Sequence, residues 1–236
     1  MNPVAIFRHF PIEGPGYFAT FLERHGIPWQ LIRIDAGDAV PSDISAFSGL
    51  AFMGGPMSVN DELPWIAPVL ALIRAAQMVD MPVLGHCLGG QLMAKALGGT
   101  VSRNAIKEIG WGDVTVADDA DAARWFGHAA PAFRSFHWHG ETFTIPPGAR
   151  RLLSSAHCVH QAFSLGNSLG MQCHIEMTPE MIDSWCESGA REIARSSDSP
   201  GVQQAAEIKV DLDERLRGLH AVADGVYARW IEHLRR

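Results

Sequence analysis

Residues 82–97 have the sequence PVLGHCLGGQLMAKAL, in which a short apolar run, a glycine-rich turn around Cys87 and a helical segment follow one another. The pattern predicts a buried strand over 82–85, a sharp turn, and a helix over 88–97 that ends at a pair of glycines. A cysteine between such a strand and helix, with a glycine two residues away on either side, is typical of a nucleophile elbow.

An elbow of this kind would favour nucleophilic chemistry at Cys87. The N-terminus of the following helix points at the sulfur, so its dipole and free N–H groups favour the thiolate. The backbone N–H of Leu88 can also stabilise an oxyanion. The alternative is a structural cysteine, buried beside a glycine-rich strand end.

The first half of the chain alternates apolar runs with helical patterns. The runs at 4–7, 29–34 and 49–53 predict strands, and 17–25 and 65–79 predict helices. From Val101 to Ile175, six short strands follow, separated by Gly, Pro, His and Asn. We therefore predict an α/β fold, with a doubly wound, mostly parallel central sheet, helices on both faces and a small antiparallel sheet.

The C-terminal part has a different organisation. Residues 179–194 predict a helix capped by Thr178, and 195–201 predict a linker. An amphipathic helical stripe follows, and its apolar positions are Leu212, Leu216, Leu219, Ala223, Val226, Trp230 and Leu234. We expect residues 1–192 to form the main domain and residues 193–236 to be a linker and a helix packed on that domain. A homodimer or partner interface on the stripe is the alternative.

Composition excludes several classes of protein. The 236 residues carry a net charge of −7, which argues against nucleic-acid binding. The four cysteines form no C-x-x-C pair, so neither a disulfide scaffold nor a zinc ribbon fits. We find no signal-peptide pattern and no apolar run long enough to span a membrane. These features predict a reduced, cytoplasmic protein that does not bind membranes.

A histidine and a glutamate stand two residues apart at the end of a predicted strand. Side chains alternate along a strand, so His174 and Glu176 should share one face. Alone, such a histidine would be interpreted as structural. Together with Cys87, the pair fits a general base and the carboxylate that orients it. His86 is a poorer candidate for the base, because as the neighbour of Cys87 on an extended segment it should face the opposite side.

Gly54-Gly55-Pro56 follows a strand that should neighbour the strand before Cys87. Loops at the carboxyl ends of adjacent parallel strands meet at the ligand crevice. The N–H of Gly55 is therefore a candidate for a second oxyanion donor, although an ordinary turn is the alternative.

No metal or cofactor is expected. The alternation of strand side chains spreads His157, Cys158, His160 and Cys173 over both faces, which does not favour a metal site. The chain also lacks a G-x-x-x-x-G-K-[ST] phosphate loop.

The three motifs at 54–56, 85–91 and 170–176 resemble, in order and separation, those of the class I (triad-type) glutamine amidotransferase domain. The resemblance covers roughly residues 3–192 and is closest to the stand-alone branch called GMP synthase-like. It implies a flavodoxin-like sheet and a triad of Cys87 as nucleophile, His174 as base and Glu176 as orienting carboxylate. It also implies an oxyanion hole formed by the N–H groups of Gly55 and Leu88.

The resemblance further implies a set of substrate-binding residues. They are Gly54, Gln91, Trp138, His139 and Gly140, with the last three in a loop that holds the α-groups of glutamine through backbone atoms. The chain departs from the family twice: Ile175 replaces the usual proline, and Trp138 replaces a polar residue. The first change keeps the triad spacing, whereas the second changes the shape of the pocket.

The implied activity is cleavage of the γ-amide of glutamine through a cysteine thioester, giving glutamate and ammonia for a separate synthetase or acceptor enzyme. One alternative is a stand-alone γ-glutamyl peptidase acting on glutathione-like conjugates. A non-catalytic binding module is a further alternative. The chaperone or deglycase type of cysteine-elbow fold lacks a His-x-Glu on a distant later strand, so residues 170–176 disfavour it.

Overall fold

Short buried strands alternate with helices through the first hundred residues. The computed structural model describes residues 1–127 and 131–235. Its first elements are β1 (Val4–Arg8), α1 (Gly16–Arg24), β2 (Trp29–Arg33), β3 (Gly49–Phe52), α2 (Ile66–Met78), β4 (Val83–His86) and α3 (Leu88–Ala96). The strands β3 and β4 are buried along their whole length because helices cover both faces of a parallel sheet.

Longer strands and shorter helices form the second half. They are β5 (Val101–Val116), α4 (Ala120–Phe126), β6 (Ala132–Phe143), β7 (Arg150–Ser155), β8 (Ala162–Leu165), β9 (Ser168–Met171), α5 (Pro179–Ser188), α6 (Ala190–Arg195), β10 (Gly201–Val202), α7 (Ala205–Ile208) and α8 (Leu212–Ile231). A short 3₁₀ turn, Ile34–Ala36, follows β2.

All the described strands belong to one ten-stranded sheet. The order is β10-β5-β7-β8-β9-β4-β3-β1-β2, and β6 pairs with β5. The segment β9-β4-β3-β1-β2 is parallel, whereas the pairs β5·β6, β5·β7, β7·β8 and β8·β9 are antiparallel, and the short edge strand β10 pairs in parallel with β5. The predicted α/β fold with a doubly wound sheet is confirmed, and the antiparallel strands continue the parallel sheet rather than forming a separate one.

Two local predictions differ from the structure. Residues 101–116 form one long strand with an irregularity against β6 between Arg103 and Glu108, not two short strands. The predicted helix over 179–194 is two helices, separated at Gly189. A side chain on Gly189 would clash with the ring of Trp138, so the close approach of this ring requires a glycine at the break. The predicted cap is confirmed, since Thr178 Oγ1 accepts a hydrogen bond from Met181 N at 3.3 Å.

The C-terminal segment packs on the main sheet and its helices. The predicted linker is tied down at its end, because β10 pairs with β5 and Ser199 Oγ donates to Lys107 O at 2.9 Å. The stripe of α8 is buried against the domain, with Tyr227 and Trp230 both against Phe18. No helix in the described ranges is both long and apolar enough to cross a membrane.

This packing predicts that α8 unfolds together with the rest of the domain. Trp230 is fully buried and lies against Gly49 of β3. Trp230→Ala should lower the free energy of unfolding by about 3–5 kcal/mol, because the lost contacts leave a cavity. Urea denaturation followed by circular dichroism measures this change.

Met78→Ala provides the matched control, because Met78 is exposed at the end of α2 and its loss should change the free energy of unfolding by no more than about 0.5 kcal/mol. If Trp230→Ala were equally neutral, or if α8 unfolded in a separate transition, the C-terminal segment would not be part of the domain.

Candidate active site

Cys87 lies in a strained turn between β4 and α3. Its backbone has φ +49° and ψ −107°, a conformation that residues other than glycine rarely adopt. Two hydrogen bonds hold this turn: Cys87 N donates to Met171 O at 2.8 Å, and Gln91 N donates to Cys87 O at 3.0 Å. The predicted elbow is present, and the N-terminus of α3 begins at the residue after the cysteine.

The glycines around Cys87 allow α3 to pack closely on the strand ends. A Cβ atom on Gly85 would lie 2.5 Å from Gly89 C, so the two backbones touch. A Cβ on Gly89 would overlap the carbonyl oxygen of Phe52, and one on Gly90 would overlap that of Met171. The close approach of α3 to β3 and β9 therefore depends on these three glycines, which explains the sequence pattern around Cys87.

His174 and Glu176 come together next to this turn. His174 Nδ1 lies 2.6 Å from Glu176 Oε1, and both side chains are almost fully buried. The prediction that one regular strand carries both residues is wrong, because β9 ends at Met171. An isolated bridge to Phe136 holds His174 instead, with His174 N donating to Phe136 O at 2.8 Å.

The buried histidine and carboxylate stabilise each other's charged forms. Burial disfavours the imidazolium, yet the Glu176 carboxylate, with the Cys87 thiol beside the ring, holds the pKa of His174 well above its usual value. Burial also disfavours the carboxylate, but the imidazoles of His86 and His174 lower the pKa of Glu176 to about 2. Near neutral pH the pair is therefore an imidazolium and a carboxylate, so His174 carries a transferable proton.

The second oxygen of Glu176 faces His86, which was not predicted to take part in the site. His86 Nε2 lies 3.5 Å from Glu176 Oε2 and 3.1 Å from the hydroxyl of Tyr227. Burial lowers the pKa of His86, although the nearby carboxylate of Glu176 raises it. Tyr227 belongs to α8, so the C-terminal helix takes part in the polar contacts behind the histidine–glutamate pair.

A pair of amides contacts the sulfur of Cys87. Gln172 Nε2 donates to Cys87 Sγ at 3.4 Å, and Gln91 Nε2 donates to Gln172 Oε1 at 3.0 Å. Both amide side chains are buried. Gln172 was not among the predicted site residues, although it lies within the quoted motif two residues before His174. Gln91 was predicted to bind substrate, and in the structure it both lines the cleft and orients Gln172.

Gly54 and Gly55 follow β3 and lie beside the elbow. A Cβ on Gly55 would lie 2.7 Å from Leu88 Cδ2, so this loop packs against the side chain of Leu88. A Cβ on Gly54 would overlap Glu13 Oε2 and lie 3.4 Å from His174 Cε1. The predicted loop therefore borders both the elbow and the histidine.

These elements surround one cleft of about 920 Å³. Of the predicted residues, Cys87, Gly55, Gln91, Trp138, His139 and Gly140 line it. The indole of Trp138 forms part of the wall, with its Nε1 donating to Glu192 Oε2 at 2.9 Å. His139 Nδ1 bonds to Glu141 O at 3.0 Å and Nε2 lies 3.0 Å from Glu108 Oε2, so both ring nitrogens face protein partners. His139 can therefore offer a substrate its backbone more readily than its ring.

Three side chains behind this loop have the composition of a metal site. The ligand atoms of Glu108, His137 and His139 lie within 4.8 Å of one another, and all three residues are buried. Gln161 Nε2 donates to Glu108 Oε2 at 2.8 Å and lies 3.3 Å from His137 Nδ1. These contacts join the three side chains and Gln161 in a hydrogen-bonded network, which supports the loop at 138–140.

Removal of the Glu176 carboxylate should reveal how far burial lowers the pKa of His174. In Glu176→Gln, we expect the pKa of His174 to fall by about 1–3 pH units, because an adjacent opposite charge is lost while the ring stays buried. Nuclear magnetic resonance of ¹³Cε1-labelled histidine follows this titration, with His174→Gln to assign the signal. Glu187→Gln, which removes an exposed carboxylate from α5, should leave the titration unchanged. An unaltered His174 pKa in Glu176→Gln would contradict the conclusion that the Glu176 carboxylate raises this pKa.

Comparisons with known proteins give the family. The family model described as "Glutamine amidotransferase class-I" matches residues 20–185. The chain is 28% identical over 207 residues to the glutamine amidotransferase-like protein YfeJ of Salmonella typhimurium, covering 85% of this chain and 87% of that protein. It is 28% identical over 179 residues to gamma-glutamyl peptidase 3 of Arabidopsis thaliana, covering 71% of each. It is 35% identical over 174 residues to a glutamine-hydrolyzing GMP synthase subunit of Natronomonas pharaonis, covering 70% and 86%.

The fold is also that of a solved structure. A glutamine amidotransferase from Methylobacillus flagellatus superimposes with a TM-score of 0.96 at 46% sequence identity, covering 100% of this chain and 96% of that one. This likeness extends over α8 as well as over the segment that the family model matches. The chain belongs to the class-I glutamine amidotransferase family.

Proposed function

We propose that this protein hydrolyses the γ-amide of glutamine through a thioester on Cys87, giving glutamate and ammonia. The observation that carries the proposal is the Cys87 elbow, which lines the cleft and contacts the His174 ring of the buried His174–Glu176 pair. A nucleophile, a base and a carboxylate that orients the base are the parts that acyl transfer requires.

In the first half of the reaction, Cys87 reacts as the thiolate, with the proton held on His174, and its Sγ attacks the γ-carbonyl carbon so that the carbonyl oxygen becomes an oxyanion. The N–H groups of Gly55 and Leu88 would stabilise that charge. When the intermediate collapses, the C–N bond breaks and His174 gives its proton to the departing nitrogen. A thioester and free ammonia result.

In the second half, water attacks the thioester carbon and gives a proton to His174. The C–S bond then breaks, which releases glutamate and returns the sulfur to its starting state. Gln172 donates a hydrogen bond to this sulfur, so it would stabilise the thiolate that attacks in the first half and leaves in the second. Glu176 keeps the ring of His174 oriented throughout.

A second candidate is hydrolysis of γ-glutamyl peptides, in which the leaving group is an amine. The volume of the cleft, about 920 Å³, exceeds what a free amino acid needs. The cleft also extends to Arg103, whose guanidinium suits the carboxylate of a peptide, whereas the ammonium of Lys107 is paired with Glu192. The similarity to gamma-glutamyl peptidase 3 supports this candidate.

The similarity to the glutamine-hydrolyzing GMP synthase subunit supports glutamine as substrate, with the ammonia passed to a separate acceptor enzyme. A binding module without catalysis is the least favoured alternative, because the strained turn at Cys87 has a free-energy cost that binding alone does not require.

Hydrolysis should depend on Cys87, and the rates on different compounds should identify the preferred substrate. We expect Cys87→Ala to lower hydrolysis by about 10⁴-fold or more, since the nucleophile is lost. Mass spectrometry of the products from glutamine and from a panel of γ-glutamyl peptides, including glutathione, measures both the rate and the preference. Cys186→Ala is the matched control, because Cys186 is a buried cysteine of α5 outside the cleft lining.

Turnover of glutamine alone would support an amidotransferase that supplies ammonia, and a preference for a peptide would support the peptidase. Turnover that survives Cys87→Ala would overturn the mechanism. If no substrate were hydrolysed and a glutamine-like electrophile did not label Cys87, the protein would be a binding module.

A further inference from the structure

Glu13 places a carboxyl group in the cleft beside His174. Glu13 lies in the loop between β1 and α1 and lines the cleft. Glu13 Oε2 and His174 Cε1 approach the same side of Gly54, so the two groups lie within a few ångströms of each other. Among the described residues, no side chain or backbone group forms a hydrogen bond or an ion pair with this carboxyl group. This partly exposed carboxyl group, next to His174, is therefore open to a ligand in the cleft.

The loop that carries Glu13 is fixed at both ends. Trp185 Nε1 donates to Ile12 O at 2.9 Å, and Tyr17 N donates to Glu176 O at 2.8 Å. The ring of Trp185 also packs edge-on against His174, with centroids 4.9 Å apart. Glu13 is therefore held by the same residues that hold the histidine and glutamate, and its position relative to His174 is determined.

We propose that Glu13 is a catalytic residue that binds the nitrogen leaving the γ-carbonyl, so that this side of the cleft is an amine subsite. The inference rests on the proposed function, because it uses His174 as the proton donor. The nitrogen must lie against His174 when it takes the proton, and Glu13 is the carboxyl group on that wall. As a carboxylate, Glu13 accepts an N–H hydrogen bond from the leaving amine and stabilises the cation formed on protonation.

Burial supports this role, because it raises the pKa of the Glu13 carboxyl to about 7, against the lowering effect of His174. Glu176 and Glu192 also raise that pKa through their negative charges. A carboxyl group that titrates near neutral pH can bind an amine as well as an ammonium ion. The subsite therefore suits primary amines in general, including ammonia and the amino end of a peptide.

Capture of the thioester by hydroxylamine tests the subsite directly. Hydroxylamine attacks the thioester carbon, the C–S bond breaks, and a γ-glutamyl hydroxamate forms in place of glutamate. With glutamine or γ-glutamyl p-nitroanilide as substrate, the ratio of hydroxamate to glutamate measures how well the enzyme binds an amine relative to water. The ratio does not depend on the amount of folded enzyme, so a variant that folds poorly still reports on the subsite.

We expect Glu13→Gln to lower this ratio by about 3- to 10-fold, because the amide oxygen still accepts an N–H but lacks the charge that strengthens a hydrogen bond to a carboxylate. Asp61→Asn is the matched control: Asp61 is an exposed residue that lines the same cleft, and its substitution takes away one negative charge. That variant should keep the wild-type ratio. An unchanged ratio in Glu13→Gln, with hydrolysis still dependent on Cys87, would overturn the amine subsite and leave the proposed function intact. Absence of hydrolysis by the wild type on both substrates would overturn both.

Discussion

The backbone conformation at Cys87 is the constraint on which the rest of the site depends. A non-glycine residue at φ +49° costs on the order of 1–3 kcal/mol and persists only where the surroundings enforce it. Here the enforcing contact is the hydrogen bond from Cys87 N to Met171 O, at the end of β9. Because the chain continues from β9 directly to His174, the pairing of β4 with β9 sets the nucleophile and the histidine in register. The chemistry of the cleft is therefore tied to the hydrogen-bond ladder of the sheet.

The electrostatics of the site impose a second requirement. A carboxylate as buried as that of Glu176 is stable only when charged or polar groups surround it. His174 contacts one of its oxygens and His86 faces the other, while the hydroxyl of Tyr227 bonds to His86. Tyr227 lies beyond residues 20–185, which the family model matches. Helix α8 thus has two functions in this fold, since it covers apolar core and completes the polar surroundings of the carboxylate.

The fold and the central residues were predictable because they depend on local pattern. Strand, glycine-rich turn and helix around Cys87 are contiguous in sequence, and so is the pair His174 and Glu176. The contribution of Glu13 and Tyr227 was not predictable, because the contacts that give each one a role are to residues more than a hundred positions away. His86 was set aside on strand alternation, which ignores the partner that α8 brings. The regular strand expected at His174 was wrong for a related reason, since a single bridge to Phe136 holds that residue.

The charge at the amine side of the cleft bears on what the enzyme does with its product. An enzyme that supplies ammonia to an acceptor must release the neutral molecule, because only the neutral form is a nucleophile. A carboxylate next to the departing nitrogen stabilises the protonated cation instead. Glu13 beside His174 therefore fits an enzyme that releases an ammonium ion or a protonated amine into solvent. Together with the wide cleft and the guanidinium of Arg103 in its lining, this arrangement supports the proposed hydrolysis of γ-glutamyl peptides.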